Sequence, residues 1–285
     1  MANLTAIILT KNESKNIVAC LESIKGFANR IVVVDSGSTD NTVDLAKEHG
    51  ADVYYHEFEY YAKQFNWGID NTNITTKWIL RLDADERFTP KLIEEAGYTM
   101  KQHENDDVNG LTIEAWLYFL GKKLEHGSTK KRKMMIFKNG IGRIEDRRRD
   151  AHSIISCGRT VVLKEKFLHY DFKDITHFIE RYNWYATKEM QDYLDYKQGN
   201  SVNIHTDKKI QNTRKKKFGL YYKAPMFLRA WLWFIYNYYI KLGFLDGREG
   251  YLYHYFECYW YRFLVDSKIY EQERISTEME KALED

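Results

Sequence analysis

"RIVVVDSGSTDNTVDLAKEHG" (residues 30–50) decides the fold. Three consecutive valines, with no polar alternation, read as a strand covered on both faces, the pattern of a parallel sheet. Ser38 to Gly50 follows with capping residues at its start and a glycine at its end, which predicts a helix. Outward from this pair the alternation repeats. "LTAIILT" (4–10) is a strand. Residues 13–27 carry Ile17, Leu21 and Ile24 at helical spacing, with Asn12 or Ser14 as candidate caps. "ADVYYHEF" (51–58) is a third strand, residues 61–71 a helix, and "KWILRLDAD" (77–85) a fourth strand. The pattern predicts an α/β chain with a Rossmann-like, mostly parallel sheet flanked by helices.

In such sheets ligands bind beyond the carboxyl ends of the strands. The polar clusters "TKNE" (10–13), "DSGSTD" (35–40) and "DADE" (83–86) fall there, so three strand ends converge on one crevice. The middle is less periodic. "GLTIEAWLYFLGKKL", "KKRKMMIFKNG" and "RTVVLKEKFLHY" read as further strands and turns.

With 285 residues, 44% apolar and 29% charged, the chain is long enough for a sizeable core and is globular rather than disordered. Lys plus Arg number 43 against 41 acidic residues, so net charge excludes no partner class. Cys20, Cys157 and Cys258 are odd in number and widely spaced, which argues against a disulfide framework or a zinc site and for a reducing setting. "MANLTAIILTKNE" has no basic lead-in and reads as no signal peptide. The expected localisation is cytoplasmic, in solution or peripheral on the inner face of the cytoplasmic membrane.

The crowded carboxylates of "WILRLDADERF" (78–88) admit several readings. A calcium loop fails, because Arg87 and Phe88 stand where an oxygen ligand and a glycine are needed. A D-x-D phosphatase lacks the hydroxyl expected soon afterwards. A solvated turn with Thr89 as N-cap and Pro90 at the first helical position explains those two residues but not Asp83 and Asp85. A metal–diphosphate site explains the pair. Two positions apart on an extended segment, Asp83 and Asp85 face one side, and Mn²⁺ or Mg²⁺ takes one or two carboxylates plus phosphate oxygens.

The motifs in order resemble inverting family 2 glycosyltransferases of GT-A fold, most closely the branch containing bacterial lipopolysaccharide core β-1,4-glucosyltransferases. The matching stretches are "AIILTKNES" (6–14), 30–53, "KQFNWGI" (63–69), "WILRLDADERFTPKL" (78–92), "YFLGKKLEHG" (118–127), "DAHSII" (150–155), 167–187 and "GFLDGREGY" (243–251). The resemblance implies metal-dependent transfer of a hexose from a nucleotide sugar, UDP by family habit, to a surface-glycan acceptor of lipopolysaccharide core, O-antigen or capsule type. It implies that Thr10, Asn12, Glu13, Asp35, Ser36, Lys63, Gln64, Asn66 and Asp83 line the donor. Asp83 and Asp85 are the D-x-D pair, with the metal on Asp85. His126 belongs to an acceptor-side motif whose second half is replaced by Ser128 and Thr129. The branch reads Val-His-Glu where this chain has Ala151-His152-Ser153, so the glutamate is missing. Asp150 is then the first candidate for the catalytic base and His152 the second, with Glu145 and Asp146 nearby.

The last part changes character. Residues 216–265 hold 19 of the chain's 44 aromatics, and Phe227, Trp231, Phe234, Tyr238, Leu242 and Leu245 follow helical spacing. This predicts a glycosyltransferase domain over 1–215 and an aromatic helical region over 216–285, packed on the core, on a second copy of the chain, or in a membrane interface. The basic runs 130–133, 147–149 and 214–217 fit an anionic membrane surface, and no nucleic-acid motif accompanies them. The competing classes are a non-catalytic membrane- or nucleic-acid-binding module and a D-x-D phosphatase.

Overall fold

The computed structural model describes residues 2–129, 131–146, 151–170, 174–197, 219 and 221–284, with backbone only beyond residue 275. Asp150 and the basic runs 147–149 and 214–217 lie outside the described residues, as does Lys130. The chain divides into two compact units, Met1–Lys123 with Thr129–Phe172, and Leu124–Ser128 with Lys173–Asp285.

The first unit opens with the expected alternation. The elements are β1 (Ala2–Thr10), α1 (Ile17–Ile24), β2 (Ala28–Asp35), α2 (Thr42–Glu48), β3 (Asp52–Tyr55), α3 (Tyr61–Asn71) and β4 (Trp78–Asp83). Then come β5 (Glu86–Arg87), α4 (Pro90–Gln102), β6 (Val108–Phe119), β7 (Lys122–Leu124), β8 (Arg132–Lys138), β9 (Gly142–Ile144), β10 (Ser153–Ile155) and β11 (Arg159–Tyr170). The main sheet runs β3-β2-β1-β4-β8-β6-β11-β5, with β7 paired to β6. The first four strands are parallel. β8 enters antiparallel between β4 and β6, and β6 and β11 are parallel again. The fold is the mixed α/β class expected, with the antiparallel strand drawn from the poorly periodic middle.

Side-chain alternation divides the core into two faces. Leu4, Ala6 and Ile8 of β1, Val33 of β2, and Trp78, Leu80 and Leu82 of β4 join one cluster with α1 and α4. Ile7, Val32, Val34 and Ile79 join the other, with Ala62 and Phe65 of α3. The period of two in β4 therefore carries Arg81 and Asp83 to the α3 side. α3 lies close to the sheet because Gly68 has no Cβ, which would stand 3.0 Å from Val34 Cγ2 and 3.3 Å from Ile7 Cγ2.

Two local expectations change. Neither Asn12 nor Ser14 caps α1, which begins after Asn16 without a side-chain cap bond. Both bind the loop after β2 instead: Thr39 N donates to Asn12 Oδ1 at 2.8 Å and Ser14 N to Asp40 Oδ2 at 3.2 Å. Joining two strand-end loops replaces capping one helix. The start of α4 is as expected, with Pro90 first and Leu92 N donating to Thr89 Oγ1 at 3.2 Å.

The second unit contains α5 (Ile175–Lys197), α6 (Leu228–Ile235), α7 (Gly247–His254) and α8 (Tyr261–Glu284). α6 runs on as a π-helical turn, Tyr236–Ile240, and a second π segment, Tyr255–Trp260, joins α7 to α8. Leu242, at φ 61°, and the 3₁₀ turn Gly243–Asp246 interrupt the helical spacing expected through Leu245. The interior is unusually polar. Glu189 accepts from Tyr222 Oη and Arg262 Nη1 at 2.8 Å and from Tyr261 Oη at 2.5 Å. Arg229 and Asp266, almost fully buried, pair through two guanidinium nitrogens, and Phe227 N donates to Asp266 Oδ2 at 2.7 Å. Removing one partner strands a buried charge.

Asp266→Ala is expected to destabilise the second unit by about 3–5 kcal/mol, read as a lowered urea midpoint of the near-ultraviolet circular dichroism. Thr89→Ala removes only one cap bond and is expected to cost about 1 kcal/mol by the same measurement.

Candidate active site

The crevice is built at the ends of β1, β2 and β4. Asp35, buried at the end of β2, organises its floor. Its Oδ1 accepts from Thr10 Oγ1 at 2.8 Å and Ser38 Oγ at 2.5 Å, and its Oδ2 from Gly37 N at 2.9 Å and Ser38 N at 2.8 Å. Ser36 Oγ donates to Thr10 O at 3.0 Å. Asn12 N donates to Ser38 Oγ and Glu13 N to Thr42 Oγ1, each at 2.8 Å. Thr10, Asn12, Glu13, Asp35 and Ser36 thus come together in two interlocked loops.

The D-x-D segment differs from the expected extended stretch. β4 ends at Asp83, the chain turns at Ala84–Asp85, and Glu86–Arg87 pair antiparallel with β11. The two aspartates therefore do not share a strand face. The turn is held by Arg87, whose Nη1 donates to Ala84 O at 2.7 Å and Glu86 O at 2.8 Å, and whose Nη2 donates to Asn16 O at 2.9 Å. Such planar, fixed donors suit the clamping of several carbonyls.

Each carboxylate has its own partners. Asp83 Oδ1 accepts from Tyr61 Oη at 2.8 Å and Oδ2 from Lys133 Nζ at 2.7 Å. Arg81 Nε donates to Tyr61 Oη at 2.8 Å, completing a chain along the α3 side. Burial opposes ionisation of Asp83, but the Lys133 and Arg81 charges, with the bonds from Lys133 and Tyr61, outweigh it and hold the carboxyl below its usual range. Glu86 is 1% exposed in its side chain; it accepts from Lys133 Nζ and, through Oε2, from Asp83 N at 3.0 Å. Burial pushes its carboxyl up despite Lys133. Asp83 and Lys133 keep 27% and 22% of their side chains open, so a ligand reaches them and not Glu86.

Asp85 stands apart from that cluster. Its Oδ2 lies 3.2 Å from His169 Nε2 near the end of β11. Burial works against its ionisation, but the imidazole beside it keeps the carboxyl below the usual range. A carboxylate oxygen and an imidazole nitrogen suit Mn²⁺ well and Mg²⁺ less well. Among the described residues no group of three such donors is arranged to hold a metal. The pair fits an ion that completes its coordination with phosphate oxygens and water.

The remaining expected residues are placed differently. Gln64 is buried, with Oε1 on His56 Nδ1 at 2.6 Å and Nε2 donating to His56 O at 3.0 Å. Asn66 exchanges bonds with the Ile144 backbone, at 2.8 and 3.0 Å, and so fastens β9 to α3. Lys63 is exposed and pairs with Glu59 at 2.6 Å, one helical turn away. Both amides are engaged within the protein, Gln64 with the side chain and carbonyl of His56 and Asn66 with the Ile144 backbone. His152 is exposed at the start of β10, and its carbonyl accepts from Glu145 N at 2.8 Å. Its neighbour Ser153 reaches the site, accepting from Arg81 Nη1 at 3.3 Å through Oγ. Tyr60 Oη donates to Asp146 Oδ1 at 2.5 Å. His126 lies in the second unit, with Nδ1 2.8 Å from Asp246 Oδ1.

Sequence reasoning missed Tyr61, Arg81, Lys133 and His169. Arg81 was legible, since it alternates with Leu80 and Leu82 and so falls on the face of Ile79 and Asp83. Lys133 belongs to a basic run expected to face an anionic surface, yet Arg132 pairs with Glu114 and Lys133 with Asp83 and Glu86. No spacing signal marks His169, which arrives through the β5–β11 pairing of His169 with Glu86.

Known proteins give this arrangement a context. A protein of Rickettsia felis described as an uncharacterized glycosyltransferase is 25% identical over 268 residues, which cover 88% of this chain and 84% of that one. The SPbeta prophage-derived glycosyltransferase SunS of Bacillus subtilis is 38% identical over 88 residues, 30% of this chain and 21% of SunS. Among solved structures, glucosyl-3-phosphoglycerate synthase of Mycobacterium tuberculosis, in complex with Mn²⁺, UDP and glucosyl-3-phosphoglycerate, aligns with a TM-score of 0.33 and 16% identity, covering 40% of this chain and 44% of that one. The model of the family described as glycosyl transferase family 2 matches residues 5–168, more than half of the sequence and nearly all of the first unit. The phosphatase and non-catalytic readings fall with that match: the chain belongs to glycosyl transferase family 2 and is a glycosyltransferase.

Proposed function

We propose that this glycosyltransferase moves a hexose, with inversion and with help from a divalent cation, from a uridine diphosphate sugar to a hydroxyl of a bacterial surface glycan. The observation that carries the reading is the division of labour in the D-x-D turn. Asp83 is tied to Tyr61 and Lys133, whereas Asp85 faces His169. Asp85 and His169 would hold Mn²⁺, which supplies Lewis-acid neutralisation of the departing diphosphate. Asp83, ionised and held from two sides, is positioned to accept hydrogen bonds from a ribose or sugar hydroxyl. The Thr10–Glu13 and Asp35–Ser38 loops, locked to each other, form the nucleoside side of the crevice. Lys133 presents an ammonium to the same space and keeps Asp83 charged before the donor arrives.

Inversion requires in-line attack by the acceptor hydroxyl, whose proton a base within hydrogen-bond reach must take. Asp150 remains our first assignment and His152 our second. Ser153 supports this placement of the segment, because its bond to Arg81 ties residues 151–155 to the Tyr61–Asp83 chain. The lipopolysaccharide-core type of acceptor rests on the motif resemblance.

Asp85→Ala is expected to lower kcat/KM for sugar transfer by about two to three orders of magnitude, measured as UDP release with acceptor present. His169→Ala is expected to raise the half-saturating Mn²⁺ concentration by about tenfold or more, and unchanged Mn²⁺ dependence of both variants would remove the metal assignment. Asp150→Asn is expected to lower kcat by about 10²- to 10⁴-fold while donor binding, read by thermal shift, stays intact. The same loss in His152→Ala and not in Asp150→Asn would transfer the role of base to the histidine.

A further inference from the structure

Helix α6 and its π turn are built inside out. Arg229 and Asn237 are buried, with the guanidinium on Asp266 and the Asn237 amide donating to Trp233 O at 2.8 Å. The exposed face is apolar: Leu228, Trp231, Leu232, Tyr236, Tyr239 and Ile240 are 40–67% exposed. Their spacing of three and four residues makes them one stripe. The turn that follows adds Phe244 and Leu245, 43% and 55% exposed. A surface helix in water shows its polar face outward, and a continuous exposed apolar patch marks an interaction surface.

We propose that this face of the second unit docks in the interface of an anionic lipid bilayer. Length excludes a span. Residues 228–240 rise about 20 Å as a helix, short of the roughly 30 Å hydrocarbon core. Among the described residues no helix is long and apolar enough to cross a membrane. Trp and Tyr tips with aliphatic neighbours match the boundary between headgroups and acyl chains. Charge selects the partner. The exposed charges between residues 221 and 251 are Lys223, Lys241 and Arg248, while Asp246 is buried against His126 and Glu249 is half-buried. Anionic headgroups complement these cations beside the apolar stripe. The inference stands apart from the sugar-transfer reading, since it uses none of that site's residues.

The test is flotation of the full chain with vesicles of phosphatidylcholine alone or mixed with phosphatidylglycerol. Wild type is expected to float with the mixed vesicles and to stay behind with the neutral ones. Trp231→Ser/Tyr239→Ser/Ile240→Ser is expected to lower partitioning about tenfold or more. Lys223→Glu/Lys241→Glu, which changes only exposed charges, is expected to lower it about tenfold and carries the test if the first variant misfolds. No flotation of wild type, or equal flotation of wild type and the charge variant, would overturn the proposal. So would a vesicle-free dimer, seen by light scattering, that the aromatic variant turns into monomer, because the face would then belong to a second copy.

Discussion

Three carboxylates within four residues at the end of a buried strand need a cation, and Lys133 supplies it. Two like unit charges about 4 Å apart repel by roughly 4 kcal/mol at an effective dielectric near 20. Lys133 Nζ touches both Asp83 and Glu86, so the charges that would repel become one compensated cluster. The strand register explains its arrival. β8 pairs with β4 through Trp78–Lys138, Ile79–Phe137 and Leu80–Ile136, and its preceding residues bring Lys133 Nζ to 2.7 Å from Asp83 Oδ2. The antiparallel strand inserted into an otherwise parallel half-sheet is therefore what makes the D-x-D turn tenable.

That cluster also sorts the acidic residues by task. Glu86 is sealed beneath the site and holds Lys133 and the Asp83 amide. Asp83 keeps an open edge while both oxygens stay bonded. Asp85 escapes because Arg87 bends the chain after Asp83, which brings it to His169. Asp35 resembles Glu86 more than Asp85. Its four accepted bonds fix the loops that carry Thr10, Ser36 and Asn12, so a single buried carboxylate shapes the crevice beside it.

The second unit inverts the usual economy of a helical domain. Its interior buries Glu189, Arg229 and Asp266, each fully engaged, while Trp231, Tyr239 and Ile240 face outward. Buried ion pairs contribute little net stability and lose much when broken, so they fix which face of each helix turns inward. The outward face is then apolar by consequence, and Lys223, Lys241 and Arg248 are the exposed cations of the same stretch of chain.

The amino-acid sequence by itself determined the strand–helix alternation, the polar strand ends, the Thr89–Pro90 helix start and the D-x-D pair. These follow from periods of 2 and 3.6 and from local capping, which act over a few residues. It did not reveal which polar groups serve ligands and which serve the scaffold. Gln64 and Asn66, expected at the donor, bond His56 and Ile144; Lys133, expected in a basic run facing an anionic surface, pairs with Asp83 and Glu86. His169 stands more than eighty residues from Asp85, and only the pairing of β5 with β11 brings them together. Tertiary structure decided these points because a side chain's task depends on which partner reaches it first, and that is set by strand register and burial between distant segments.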